Sequence, residues 1–145
     1  MRRCILLGFV GLSLLGCSSC LDNLNRQGVK LHNEIDAKSE NQMRNNGLID
    51  VGEHPLAYYD TTLSLDGSES FLVTNLALKH YRHGQINEMS LMDIESIEQQ
   101  DAGFDGYRII ASSGQRKLIL AFAPLNDGPL FLAELREQVT KAQGR

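Results

Sequence analysis

Two cysteines near the N-terminus, Cys17 and Cys20, have the spacing of thiol redox pairs and of some metal sites. They follow a segment that contains Arg2, Arg3, an apolar run over residues 5–15 and then a small residue. This order is typical of a secretory signal, and the run is too short to span a bilayer, which needs about 20 apolar residues. The pair therefore lies at a signal junction, and we predict neither a redox pair nor a metal site there.

Residues 14–17 read Leu-Leu-Gly-Cys and closely resemble the lipobox of bacterial lipoproteins. The resemblance implies that residues 1–16 are a signal peptide and that the sulfur of Cys17 carries a diacylglycerol. It also implies that the new amino terminus is acylated, for example with palmitate. Ser18, rather than Asp, follows the cysteine, which in this family of signals favours export to the outer membrane. We therefore expect a membrane-anchored protein at the periplasmic face of the outer membrane.

The charge of the chain argues against nucleic acid as a partner. The 145 residues include 14 basic and 18 acidic side chains. Cleavage after residue 16 removes two basic residues and no acidic one, so the remaining 12 basic and 18 acidic side chains give a net charge of −6. Affinity for nucleic acid depends on neutralising phosphates with a basic surface, and no basic stripe is present. The remaining length suits one domain and a tether.

Residues 17–47 differ in composition from the rest, since they are rich in Asn, Gln and charged residues and contain no aromatic residue. We predict a polar, partly helical tether that holds the domain off the lipid surface. A helical arm packed on the domain is the alternative. The segment ends in Asn46-Gly47, a pair that is typical of turns. The domain is predicted to cover residues 48–145.

Short β-type segments follow, with a turn signal every 8–12 residues. This pattern predicts a sandwich or barrel. A tight turn is expected at His83-Gly84. Near the C-terminus, Pro129 precedes apolar residues at helical spacing, from Phe131 to Val139, which predicts one amphipathic helix with a single face to bury.

Residues 50–142 resemble the bacterial pleckstrin-homology-like and GRAM-like domains. The pair Thr74-Asn75 and the run 93–97, Asp-Ile-Glu-Ser-Ile, carry the resemblance most clearly. It implies a mainly β protein with a bent antiparallel sheet or partly open barrel, capped by a C-terminal α-helix. Because Thr and Asn side chains often bond to nearby backbone, we expect Thr74 and Asn75 to stabilise a sharp strand corner.

Four groups that can carry positive charge lie within five residues, namely Lys79, His80, Arg82 and His83. We predict that they contact an acidic partner surface or lipid headgroups. The alternative is that they only keep a hairpin soluble. His80 and His83 have no clear third ligand nearby, so we predict no metal site.

The sequence contains no nucleophile elbow, no phosphate-binding glycine loop and no cysteine–histidine pair of catalytic type. We therefore predict no catalysis and no cofactor. The leading hypothesis is a lipid-anchored binding or scaffolding module of the cell envelope, with a protein or peptide as partner. The alternative is a carrier or sensor of an amphiphile, held in a cavity between barrel and helix.

Overall fold

The computed structural model describes residues 28–101 and 103–145. The predicted signal peptide, Cys17 and the first part of the predicted tether lie outside these residues. In the described ranges the strands are β1 Lys30–Leu31, β2 Pro55–Asp60, β3 Glu69–Thr74, β4 Ala77–Arg82, β5 Gln85–Ser90, β6 Ser96–Asp101, β7 Tyr107–Ser113 and β8 Arg116–Phe122. The α-helices are α1 Ala37–Asn45 and α2 Gly128–Ala142.

The strands form two antiparallel sheets, one with the order β1-β2-β3-β4-β5 and one with the order β6-β7-β8. A 3₁₀ turn over Leu91–Asp93 leads from the first sheet to the second. His83 and Gly84, with φ of 46° and 85°, form the predicted tight turn between β4 and β5. Two positive φ angles in succession match the right-handed twist of the flanking strands. The prediction of a mainly β fold with a C-terminal helix is confirmed; the sheets remain separate and do not close into a barrel.

The main core lies between the two sheets and α2. Aromatic rings dominate it: Tyr59 stacks on Phe122 with 4.8 Å between ring centroids, and Phe122 lies 5.2 Å from Phe131. Phe131 and Leu135 on α2 are fully buried. The apolar stripe predicted from residue spacing is therefore the face that closes the core.

A second apolar cluster lies on the other face of the first sheet, under α1. It contains Met43 and Leu48 together with Tyr58 and Leu72 from the sheet. The side chain of Asp36 caps α1 by accepting a hydrogen bond from Ser39 N at 2.8 Å.

Residues 30–45 therefore pack against the sheet, through β1 and α1. These residues belong to segment 17–47, for which we predicted a polar, partly helical tether, with a packed helical arm as the alternative. None of the helices in the described ranges is long and apolar enough to cross a membrane.

Candidate functional site

Lys79 is not part of an exposed basic cluster, which corrects the prediction for this residue. Its side chain is only 1% exposed, and its Nζ lies 2.6 Å from Glu53 Oε2, 3.3 Å from Glu88 Oε2 and 3.5 Å from Asp50 Oδ2. Strand alternation points Lys79 to the face of the sheet that the α1 cluster covers. Its charge is therefore neutralised inside the protein.

Glu53 is the main partner of Lys79 and is itself 4% exposed. Burial alone would raise the pKa of Glu53, but hydrogen bonds from Lys79, from the Asp50 backbone and from Thr74 outweigh it and lower the pKa below its usual value. Burial alone would lower the pKa of Lys79, but the bond to Glu53 and the charges of Glu53 and Glu88 raise it. Both groups are therefore charged over a wide pH range.

The other three members of the predicted cluster lie close to the turn. His80 Nε2 lies 3.3 Å from Glu69 Oε1, and its ring packs edge-on against Phe71 of the core. Arg82 Nε lies 3.6 Å from Glu69 Oε2, and its side chain is largely exposed. His83 lies exposed in the turn itself. Glu69 thus faces both His80 and Arg82, which weakens this surface as a site for anions.

Thr74 and Asn75 form the strand corner that their side chains predicted. Thr74 Oγ1 accepts hydrogen bonds from the backbone N–H groups of Leu76 and Ala77 at 3.1 and 3.0 Å. Asn75 Oδ1 accepts one from His54 N at 2.8 Å. Thr74 also donates to Glu53 Oε1 at 2.9 Å, so the corner and the buried ion pair are joined.

A groove runs between β6 and α2 and has a volume of about 290 Å³. Ile94, Ile97 and Val139 supply its apolar wall, and Arg136 and Arg145 supply positive charge. We call it the β6–α2 groove. In the described part of the chain β6 pairs only with β7, so β6 is an edge strand of its sheet. An edge strand directs unpaired N–H and C=O groups outward, where another chain can pair with them.

Gln143 lines this groove and holds the end of α2 against the turn after β5. Its Nε2 donates to the carbonyl oxygen of Ile94 at 2.7 Å and lies 3.3 Å from those of Leu91 and Met92. Its Oε1 is buried and accepts no hydrogen bond from the described residues. A buried acceptor without a donor is unfavourable, so this oxygen costs stability at the end of α2.

The edge of β5, which faces β8, is less open than that of β6. A second groove, of about 320 Å³, lies between β5 and β8 and is lined in part by Met89 and Ile119. There, Arg116 Nη2 donates to Glu88 O of β5 at 2.8 Å. One carbonyl group of the β5 edge is therefore already used.

A cleft of about 540 Å³ lies between α1 and the loop that follows β2. Polar groups of Lys30, Asp36, Ser39 and Asp60 line it, and Lys30 already bonds to Asp36 and Ser39. This is not the apolar cavity between sheets and helix that an amphiphile carrier needs. That space is filled by the buried side chains of the main core.

In residues 28–101 and 103–145, no group of three or more His, Cys, Asp or Glu side chains could hold a metal ion. The ion pair of Lys79 with Glu53, by contrast, is a polar feature that the sequence did not reveal. Glu53 lies before β2, where no strand alternation indicates which face a side chain takes.

Solved structures with the same architecture are known from Shewanella. A DUF1696 family protein with a pleckstrin-homology domain from Shewanella loihica matches with a TM-score of 0.51 and 12% sequence identity. The match covers 80% of this chain and 97% of that one. The fold is pleckstrin-homology-like. A pleckstrin homology domain from Shewanella amazonensis matches with a TM-score of 0.48 and 11% identity, over 74% of this chain and 89% of that one. No family model and no curated protein matches the sequence.

At this level of identity the likeness concerns the fold alone, because one fold hosts many functions. The pleckstrin-homology-like arrangement of two sheets and a closing helix places β6 beside α2. The function must be argued from the surfaces of this chain.

Proposed function

We propose that the protein is a non-catalytic binding or scaffolding module, anchored by lipid on Cys17 at the periplasmic face of the outer membrane. We further propose that it binds an extended segment of another envelope protein in the β6–α2 groove. The lipobox-like residues 14–17 support the anchor. The groove beside an edge strand supports the mode of binding.

The observation that carries the binding mode is the combination of an edge strand and an apolar wall in one place. A peptide added to β6 would pair with the outward backbone groups, which gives affinity with little dependence on sequence. Alternate peptide side chains would face Ile97 and Val139 on the groove wall.

The charges of the groove favour a bound segment that carries a carboxylate. Arg136 and Arg145 both line it, whereas Glu95 is the acidic residue among its lining groups. A carboxylate on the bound segment would therefore be favoured near the arginines, although exposed charge pairs contribute little affinity and mainly affect specificity and association rate.

The anchor is tested by replacing Cys17 with Ala and labelling cells with radioactive palmitate. The variant should lose the label and leave the outer-membrane fraction, because no thioether can form. Cys20→Ala is the matched control and should behave like the parent chain. Palmitate labelling and membrane fractionation that survive Cys17→Ala would contradict the anchor.

The groove is tested by photo-crosslinking in intact cells from a benzoylphenylalanine at Thr140, which lines it. The same probe at Ile86, exposed on the β5 edge, is the control. We expect one envelope protein to be captured from Thr140 and not from Ile86. A synthetic segment of that protein should then shift the amide resonances of β6 and α2.

The positions of the shifted amide resonances can also contradict the proposal. Shifts confined to the β5–β8 groove would place the partner on the other edge. Arg136→Glu should weaken binding of an acidic segment, and Arg108→Glu, on β7 with an exposed side chain, is the control. Binding that is unchanged by Arg136→Glu would contradict the predicted preference for acidic segments.

A further inference from the structure

Three segments of the chain meet at one corner of the domain: the loop before β2, the β3–β4 turn and the 3₁₀ turn after β5. Asn75, in the β3–β4 turn, donates from Nδ2 to Gly52 O at 3.4 Å and from its backbone N–H to His54 O at 3.2 Å. Leu76 O, in the same turn, accepts a hydrogen bond from Leu91 N at 2.9 Å. The β3–β4 turn is therefore in contact with both of the other segments.

Each of these segments carries one large apolar side chain in solvent, next to a residue that makes one of the bonds. Val51 is fully exposed, Leu76 is 56% exposed and Met92 is 62% exposed. We call these three residues the corner patch. Single exposed apolar side chains are ordinary, but apolar side chains on three segments that contact one another are typical of an interaction surface.

The corner patch adjoins one end of the β6–α2 groove. Gln143, which lines the groove, donates from Nε2 to Ile94 O at 2.7 Å and lies 3.3 Å from Met92 O. Ile94 also lines the groove and follows Met92 closely in the chain. An extended segment that is bound along β6 and continues past Ser96, the first residue of β6, therefore runs towards the patch.

The size of the patch argues against an interface that is independent of the groove. A standard protein–protein interface buries about 800 Å² on each partner, from about 20 to 30 residues a side. Three apolar side chains cannot supply that area, so a second copy of the chain would gain little affinity from the patch alone. As an extension of the groove, the same side chains add to the affinity that pairing with β6 already gives.

We propose that the corner patch binds the continuation of the segment that occupies the β6–α2 groove. This inference rests on the proposed binding of an extended segment in that groove. The segment then has two parts: one pairs with the backbone of β6, and the next places apolar side chains on Val51, Leu76 and Met92. Pairing with the main chain gives affinity, and the patch selects segments that are apolar at one end.

The charges along this surface add a second requirement. Arg136 lines the groove, whereas Asp93 and Glu95 are exposed on the connection between groove and patch. In the loop before β2, Asp50 and His54 are both exposed, and their charges oppose one another where the histidine is protonated. The surface therefore changes from positive in the groove to negative towards the patch. A segment that fits it carries a carboxylate on the β6 side and a lysine or arginine beside its apolar residues.

The test selects binding peptides from a phage library of random sequences of about 16 residues. A peptide of that length reaches roughly 50 Å when extended, so it can span both β6 and the patch. The target is the mature Cys17→Ser chain, immobilised through biotin on Cys20, its one remaining cysteine. We expect the selected peptides to share a strand-like part that contains a carboxylate, joined at one end to apolar residues and a lysine or arginine.

Substitutions then locate the apolar part of a selected peptide. The double variant Leu76→Ser with Met92→Ser should weaken its binding about tenfold, because two apolar side chains lose their contacts. The double variant Ile86→Ser with Ile119→Ser is the matched control, since these side chains are similarly exposed on β5 and β8, and it should bind like the parent. Asp93→Lys should weaken binding most at low salt, where charges are least screened. Circular dichroism confirms that each variant is folded.

The outcomes separate this inference from the proposed function. If no peptide is enriched, or if the selected peptides shift amide resonances of β5 and β8 instead of β6 and α2, binding in the groove is overturned together with the patch. If a peptide shifts β6 and α2 but binds the patch double variant as tightly as the parent, the corner patch is overturned and the groove stands. Unchanged binding to Asp93→Lys would overturn the basic residue beside the patch. A dimer in sedimentation that the patch double variant abolishes would overturn the inference in favour of a second copy of the chain.

Discussion

Replacing Lys79 with Met should strongly destabilise the domain. The substitution keeps the apolar stem but leaves Glu53 buried without its cation. Removal of one partner from a buried ion pair costs about 3–5 kcal/mol. We expect the lower end, about 3 kcal/mol, because Glu88 and Asp50 are half exposed or more and solvent screens their part of the interaction.

Glu53→Gln should cost less than Lys79→Met. The glutamine can still accept a hydrogen bond from Thr74, and Lys79 keeps Glu88 at 3.3 Å and Asp50 at 3.5 Å. In the double variant both charges are absent, so its loss should be smaller than the sum of the two single losses. A double-mutant cycle measures that difference as the coupling energy of the pair.

Urea unfolding of the unacylated Cys17→Ser chain, followed by circular dichroism, is the assay. With a slope of about 1.5 kcal/mol per molar urea, a loss of about 3 kcal/mol moves the midpoint by about 2 M. Glu137 and Lys141 provide the control pair, since their atoms are also 2.6 Å apart but more than half exposed. Their coupling should not be separable from error. Equal coupling in the two pairs would refute the reasoning that burial strengthens the inner one.

The pH dependence follows from the directions of the two pKa shifts. The pKa of Glu53 is lowered in the folded state, so its stabilisation is present above the unfolded value of about 4.3 and is lost as the pH falls through the folded value. The pKa of Lys79 is raised, so its stabilisation is present below about 10.4 and is lost as the pH rises through the folded value. The difference between parent and Lys79→Met should therefore be largest at neutral to mildly alkaline pH and shrink in acid, where protonation of Glu53 removes the unpaired buried charge of the variant.

Two further substitutions test the packing. Leu135→Asp should unfold the domain, because it places a charge in the core, whereas Leu130→Asp, half exposed on the same helix, should change the thermal midpoint little. Gly106→Ala should cost clearly more than Gly84→Ala in thermal unfolding. Both glycines have positive φ, but only the new methyl group at residue 106 would collide with Phe122 O. Equal losses at the two glycines would contradict the close approach.

The sequence predicted those elements whose signal is local. The helix α2 follows from Pro129 in its first turn and from the spacing of Phe131, Leu135 and Val139. The turn at His83-Gly84 follows from the pair itself. For α2, the residues that define the helix also determine what it packs against, because its single apolar stripe must face the core.

The position of Lys79 could not be predicted in the same way. Alternation along β4 correctly separates Lys79 from His80, but it does not say whether the second face of the sheet is exposed. The cover is α1, over Ala37–Asn45, in which Met43 is the one large apolar side chain, so no stripe of apolar residues indicates its buried face. The burial of Lys79 therefore depends on the packing of Met43 against Tyr58, which only the assembled fold brings together.

The β6–α2 groove could not be predicted from the sequence either, because two segments that are distant in the chain form it together. The same helix connects it to the loops over residues 103–106 and 123–127. Gly128, at the start of α2, packs against Tyr107 and Phe122 beside those loops, whereas Gln143, just after its end, bonds to Ile94 at the groove. A helix of 15 residues is about 22 Å long, at 1.5 Å per residue. The groove therefore lies about one helix length away from those loops, so an extended segment that pairs with β6 can be bound without contact to them.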